Sequence, residues 1–384
     1  MKVIRHIHPI GQGAFYTERF VDDDNTTLAN IVYDCGCGTN ISSQAKKMIA
    51  TSFSKNDVID ILFISHFDSD HINGIKILKE NLKIRFVVMP LLKDDKDLIL
   101  SFYNDKDLEI LITDPSKFFL KETTIIKIKE VSNSEDNDYN RVLEEKLYFT
   151  LDEDFENFPY IDGEIISFQP ITISQLKNYW IYIPFNFAEI DRKQKLESVF
   201  NNINYKEKDL ISFLKNCNTK QIREIYNKIE GKINGNSLCV YSGPQKIKIN
   251  NVITIPNVFQ LSCVSKLSGC LFLGDSNLNG KDAKNETIIG YMKNITPLKE
   301  HINNIGLIQV PHHGSIKSFS HSIFSINPQC INYFLSYGKN TYGHPSDKVV
   351  EEILFRKNIL HCINQVKESR LIQLIYFNDN ETTL

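Results

Sequence analysis

The 384-residue chain is long enough to bury a large core, and its 42% hydrophobic and 24% charged residues are the make-up of an ordinary globular protein. A formal net charge of −3 excludes a global basic signature for nucleic acid, and no apolar run approaches the roughly 18–20 residues that span a bilayer. The eight cysteines, at 35, 37, 217, 239, 263, 270, 330 and 362, follow no repeated spacing, which excludes a disulfide framework and predicts reduced, mostly buried thiols.

In chain order, Lys2 to Ile10 alternates like a first strand with no leader-like apolar stretch before it, so the expected location is cytoplasmic. Gly11-Gln12-Gly13 permits a tight turn, a second strand follows over Thr17 to Val21, and a third over Leu28 to Tyr33 runs into Asp34. Residues 41–53 read as a helix. The apolar, β-branched run Val58 to Ile64 reads as a buried strand and Ile72 to Asn81 as a helix.

Between them lies Ser65-His66-Phe67-Asp68-Ser69-Asp70-His71, two imidazoles and two carboxylates within six residues on the expected strand-to-helix loop. Each of the four alone fits a capping role. Together, with no Lys or Arg among them, they ask for a cation, because the repulsion between Asp68 and Asp70 is relieved by a bound divalent ion. Asp34, at a strand end, reads equally as a turn residue and as an acceptor that orients a ligating histidine.

Beyond this loop, Ile84 to Met89 reads as a strand and Asp94 to Asn104 as a helix. Residues 105–164 read as an acidic, loop-rich segment; from Glu135 to Glu164 eleven acidic residues face only Arg141 and Lys146. Strand candidates follow at Ile165 to Phe168, Ile171 to Ile173 and Trp180 to Ile183. Residues 187–232 show helical periodicity and read as a helical insertion, with ten basic against six acidic residues between Asp191 and Lys232. Strands then return at Ser237 to Ser242, Val258 to Ser265, Cys270 to Leu273, Leu307 to Val310, Cys330 to Ser336 and Leu371 to Phe377, with a helix over Ser346 to Arg356.

Three of the late strands end in polar clusters: Gly274-Asp275, His312-His313-Gly314-Ser315, and Asn340-Thr341-Tyr342-Gly343-His344-Pro345. Five of the ten histidines, at 66, 71, 312, 313 and 344, occupy loops of this kind. With His66-Phe67-Asp68-Ser69-Asp70-His71, these motifs resemble those of the metallo-β-lactamase superfamily, and more narrowly the hydrolase domain of the competence protein ComEC and its soluble relatives. The Gly11-Gln12-Gly13 turn, Asp34 and Asn236-Ser237-Leu238 are similar as well, although the family usually has Asp where this chain has Ala14.

The resemblance implies a single α/β (α+β) domain over residues 1–384, an αββα sandwich with metals at one edge and a helical insertion. It implies two divalent ions, Zn²⁺ or Mn²⁺, the carboxylates favouring Mn²⁺. The implied ligands are His66 and Asp68 for one ion, Asp70 and His71 for the other, Asp275 as a bridge, and one of His312 or His313, with His312 favoured and His313 placed near the substrate. Asp70, His313 and His344 are the implied catalytic residues, Asp34 supports the ligands, and Asn340 and Ser315 touch substrate. No histidine lies between 72 and 275 to complete the first metal site, which is therefore expected to be weak or filled by substrate.

Two ions about 3.5–4 Å apart lower the pKa of a bridging water towards ~7 and clamp a phosphodiester. The expected activity is thus metal-dependent phosphodiester hydrolysis, of a nucleic acid or nucleotide. The alternatives are hydrolysis of an ester, lactone or peptide bond, and a partner-binding protein docking through its insertion. Stand-alone relatives resemble components of bacterial defence operons, which implies an operon-encoded partner.

Overall fold

The computed structural model of the chain describes residues 1–91, 106–131, 148–154, 163–187, 237–245, 249–256, 263–282, 285–341 and 343–377. The expected helix over 94–104, nearly all of the insertion at 187–232, residues 132–147 and 155–162 of the acidic segment, and residues 258–262 of the strand expected from Val258 lie outside these residues.

Among the described residues, ten strands form one mixed sheet. Its spatial order is Cys263–Ser265, Ile249–Ile255, Leu371–Phe377, Lys2–Ile7, Phe15–Val21, Thr27–Cys35, Val58–Phe63, Lys83–Pro90, Thr124–Ile128 and Glu164–Ile165. Pairing is antiparallel up to Thr27–Cys35 and parallel from there on. The second sheet runs Ile359–Ile363, Asn332–Ser336, Ile305–Gln309, Gly269–Phe272, Cys239–Pro244, Trp180–Phe187, Ile171–Thr172 and Phe149–Thr150, with Glu130–Val131 also paired to Trp180–Phe187.

Strand alternation sends side chains into two different cores. Phe86 and Val88 enter the layer between the sheets, and their neighbours Val87 and Met89 enter an outer layer. The inner layer joins Val3, Tyr16, Phe20 and Phe63 of the first sheet to Trp180, Tyr182, Phe272 and Phe334 of the second. Each such fully buried large side chain contributes about 1.5–3 kcal/mol relative to exposure.

Helices Ser43–Thr51, Ile75–Asn81 and Lys106–Thr113 cover the outer face of the first sheet through Ile49, Ile75, Leu78 and Leu111. Ile288–Asn294 and Asp347–Phe355 cover the second through Met292, Val349 and Ile353. The result is an αββα sandwich. No described helix is long and apolar enough to cross a membrane.

Three readings of the sequence change. The helix expected over Ile72 to Asn81 is two, Ser69–Ile72 and Ile75–Asn81. The break falls where the Gly74 N–H donates to the Cys35 carbonyl at 2.8 Å and the Asn73 side chain bonds the 37–38 backbone. Asp70 and His71 consequently sit inside a short helix, with only His66 and Asp68 before it. Within 105–164, Lys106–Thr113 and Pro115–Phe118 are helical and Thr124–Ile128 is a strand, so that stretch is less loop-rich than its composition suggests. The strands Ile249–Ile255 and Ile359–Ile363 also escaped the sequence reading.

Cys35, Cys37, Cys239, Cys270 and Cys330 are free and buried, and Cys362 is free and half-buried.

Candidate metal centre

Five strand ends converge on one edge of the sandwich. Thr27–Cys35 carries Asp34, Val58–Phe63 leads to His66, Gly269–Phe272 to Asp275, Ile305–Gln309 to His312 and His313, and Asn332–Ser336 to Asn340 and His344. A strand fixes one end of each loop while leaving its side chains free to turn towards a shared point.

Each of four imidazoles is tied at Nδ1 and presents Nε2 to that point. His71 Nδ1 donates to Asp34 Oδ2 at 2.7 Å, and His66 Nδ1 lies 2.8 Å from Ser65 Oγ, which itself donates to Asp34 Oδ2 at 2.6 Å. His312 Nδ1 is 2.9 Å from Ser318 Oγ, and His313 Nδ1 donates to the Ser336 carbonyl at 2.8 Å. Such outer contacts set tautomer and ring orientation. Ser65, Ser318 and Ser336 were not singled out from the sequence, since a serine alone carries no such signal.

At the centre stands Asp275, 4% exposed. His66 Nε2 is 3.9 Å and His312 Nε2 3.5 Å from its Oδ2; His71 Nε2 is 3.4 Å and His313 Nε2 3.8 Å from its Oδ1. Asp70 Oδ2 lies 3.2 Å from His313 Nε2. The ligand atoms of His66, His71 and Asp275, and those of Asp70, His71 and His313, each fall within 4.8 Å of one another.

The Nε2 atoms of His66, His71 and His313 and Asp275 Oδ1 are buried without a hydrogen-bond partner. Buried polar atoms left this way cost about 1–3 kcal/mol each. A cation bound by lone pairs from all sides removes the cost, and the donor set fits a divalent ion.

The other candidate residues surround this group. Asp68, half-buried, occupies the N-cap position of Ser69–Ile72 without a capping hydrogen bond and is not among the converging ligand atoms. The atoms keep Asp70 and His71 together, joined by His313, and group His66 with His71 and Asp275. His344, half-buried, stands with its ring centroid 5.5 Å from that of His312. Asn340 Nδ2 donates to the His344 carbonyl at 2.7 Å and its Oδ1 accepts the His344 N–H at 3.2 Å, so it clasps this loop. Ser315 is 1% exposed.

Glycines seat the ligand-bearing helix. A Cβ on Gly36 would come 2.5 Å from the Asp70 carbonyl carbon and the His71 nitrogen, and one on Gly13 would strike the Asp70 carbonyl oxygen. The Ala14 N–H donates to that oxygen at 3.2 Å. Gly36→Ala is expected to cost about 1–3 kcal/mol by overpacking and to weaken ion binding as Asp70 and His71 are pushed outward. Urea unfolding and a Mn²⁺ titration check it, and wild-type values in both would refute the close packing.

Electrostatics follow from the grouping. Burial and the neighbouring His71 push His66 down to about 3. Burial opposes a charge on His71 too, but Asp34 and Asp275 hold it well above its ordinary value; His313 is raised by Asp275 and Asp70. Despite burial, Asp275 is held well below the carboxylate range by His312 and His313, then His71, and Asp70 is lowered by the adjacent His313 and by His71.

These directions set a pH dependence for the ion-free protein. Groups raised in the fold bind more protons folded than unfolded, so His71 and His313 contribute stability that is full below pH 6.5 and is lost as pH rises through their folded values. His66 is neutral in both states above 6.5 and drops out. With chelator, thermal stability should fall from pH 6.5 to about 8.5, where other ionisations begin. With saturating Mn²⁺ it should hold or rise, as protons cease to compete for the imidazoles. Parallel curves with and without chelator would refute the shared site.

An αββα sandwich with an imidazole and carboxylate cluster at the strand ends defines a class of metal-binding proteins. Within this chain, residues 23–96 match the metallo-beta-lactamase superfamily, a segment that includes Asp34, His66, Asp70 and His71. Among solved structures the chain is similar to unliganded yeast PDE1, with a TM-score of 0.42 and 11% identity over 97% of this chain and 99% of that one. No curated protein matches the chain.

Proposed function

We propose that the chain is a metal-dependent hydrolase that cleaves phosphodiester bonds of a nucleic acid or nucleotide. The observation that carries this reading is the convergence of four imidazole Nε2 atoms on the two oxygens of buried Asp275. Divalent ions bound there would activate water at neutral pH and offset charge on the reacting oxygens. The resemblance of the motifs to the ComEC hydrolase domain supports a phosphodiester. So does the carboxylate share of the donor set, which suits Mn²⁺ as well as Zn²⁺.

The remaining steps belong to the chain itself. Asp34 and Ser65 hold two rings with Nε2 inward, and Ser318 and the Ser336 carbonyl hold the other two. Asp70, with 21% of its side chain exposed, is the ligand candidate that substrate could reach from solvent. His344, clasped by Asn340, would hand a proton to the leaving oxygen. Lys317 and Lys339, both exposed, lie on the loops that carry the late histidines and would attract an anionic substrate.

The test is cleavage of fluorescent DNA, RNA and cyclic dinucleotides with Mn²⁺, Zn²⁺ or chelator. His344→Ala should lower turnover about 10²–10⁴-fold, as loss of a proton donor does, while leaving Mn²⁺ affinity unchanged. Hydrolysis of an ester, lactone or peptide with no phosphodiester cleaved would overturn the substrate assignment.

A further inference from the structure

Gln12 stands between Gly11 and Gly13, whose φ values are 93° and 131°, on the turn that links the strands Lys2–Ile7 and Phe15–Val21. Glycine takes such φ at no steric cost, so the chain turns sharply around the one residue of the three that has a side chain.

This turn touches both halves of the site. On the side of the first sheet, the Ala14 N–H donates to the Asp70 carbonyl at 3.2 Å and the Gly38 N–H to the Gln12 carbonyl at 2.6 Å. On the other side, Gln12 Oε1 accepts from the Gly338 N–H and from Asn340 Nδ2, both at 3.3 Å. The approach is close: a Cβ on Gly338 would come 2.3 Å from the Gln12 nitrogen.

Gly338 and Asn340 belong to the loop that presents His344. Asn340 Nδ2 also faces the Gly338 and His344 carbonyls at 2.9 and 2.7 Å, and Asn340 Oδ1 accepts the His344 N–H at 3.2 Å. Beyond His344 the loop is held where the Ser346 N–H donates to the Gly314 carbonyl at 3.0 Å. Asn340 therefore fastens the loop to itself, and Gln12 fastens that clasp to the first sheet.

We propose that Gln12 is a positioning residue: through Asn340 it sets where His344 stands relative to the residues of the first sheet, and so governs proton delivery to the leaving oxygen. This rests on the phosphodiester reading above, with His344 as donor. Water adds to phosphorus as the P–O bond to the leaving alcohol breaks. The leaving oxygen takes the His344 proton, and the proton given up by the water restores it through solvent. A displacement of about 1 Å can cost on the order of 10²-fold in rate, so a strut of two hydrogen bonds is enough to matter.

The experiment compares two substrates in Gln12→Ala. The nitrophenolate of bis(p-nitrophenyl) phosphate leaves without a proton, whereas the alkoxide of a dinucleotide requires one. With circular dichroism and Mn²⁺ affinity as in wild type, kcat should fall about 10–100-fold for the dinucleotide and no more than about 2-fold for the nitrophenyl ester. KM should hold for both. Gln12→Glu keeps the accepting oxygen and should recover most of the dinucleotide kcat. Added to His344→Ala, Gln12→Ala should cost nothing further. Equal losses on both substrates, a raised KM in place of a lowered kcat, no recovery in Gln12→Glu, or additivity with His344→Ala would each overturn the assignment.

Hydrogen exchange supplies a readout without hydrolysis. The His344 N–H bonds Asn340, not Gln12, and should exchange about 10-fold faster in Gln12→Ala. Wild-type protection there would refute the link through Asn340 even if both substrates are cleaved. Faster exchange in a chain that cleaves neither substrate would instead remove the proposed reaction and leave Gln12 as the strut of this loop.

Discussion

Asp275→Asn is expected to strip the centre of divalent metal and to lower metal-dependent hydrolysis roughly 10³-fold or more, the scale of about 4 kcal/mol of transition-state stabilisation. The side chain is nearly isosteric, so packing at a position 4% exposed is kept. What is lost is the negative charge and one of two oxygens, each of which faces two imidazoles. The backbone anchors stay: the Asp275 N–H donates to Ser237 Oγ at 3.0 Å, and Gln309 Oε1 accepts from the Leu273 and Gly274 N–H groups at 2.8 and 3.1 Å. A folded variant without ions is therefore the predicted product. His71 and His313 also lose a carboxylate that raises them, so both rings should release protons at lower pH, visible in their NMR titrations. Divalent metal retained at wild-type affinity would contradict the central place given to Asp275.

How far the sequence alone reaches is best seen at individual residues. The strand Val58–Phe63 is legible because an apolar, β-branched run has few other homes, and the clustered polar groups after it carry their own chemical meaning. Asp34 could be assigned two roles from sequence; in the fold its carboxylate accepts from His71, Ser65 Oγ and the Ser65 N–H. Ile249–Ile255 escaped because Asn250 and Asn251 interrupt its alternation, which a strand near a sheet edge tolerates, with both side chains exposed. Lys106–Thr113 was obscured by the acidic composition downstream, although Leu108, Leu111 and Ile112 form a buried helical stripe. The separate bearings of His312 and His313 had no sequence signature, because they depend on two residues taking positive φ.

Arg5 and Glu18 escaped for a different reason. Strand alternation places both among inward-facing positions, and a charged residue there reads as an exception rather than as half of a pair. In the fold they are 1% and 3% exposed, with Arg5 Nε donating to Glu18 Oε1 at 2.6 Å. Arg5 Nη1 also donates to Gln373 Oε1 at 2.6 Å and to the Ser268 carbonyl at 3.0 Å. From the opposite sheet, Tyr182 Oη and Ser242 Oγ donate to Glu18, and Trp180 Nε1 donates to Ser242 Oγ. The network thus ties the two sheets together inside an otherwise apolar layer.

Glu18→Ala is expected to destabilise the fold by about 3–5 kcal/mol, because it leaves the Arg5 guanidinium buried without its counter-charge. Against a typical total of about 5–15 kcal/mol this is the largest single-residue loss anticipated outside the metal centre. The double variant Arg5→Met/Glu18→Leu should be far milder, since replacing a buried pair by apolar groups of similar volume is often close to neutral. Urea unfolding of wild type, Arg5→Met, Glu18→Leu and the double variant forms a cycle that isolates the coupling, expected above about 1 kcal/mol for groups in direct contact. A Glu18→Ala chain within 1 kcal/mol of wild type, or a double variant worse than either single, would mean that water or a shifted neighbour already compensates the guanidinium. The pair would then contribute specificity of sheet packing rather than stability.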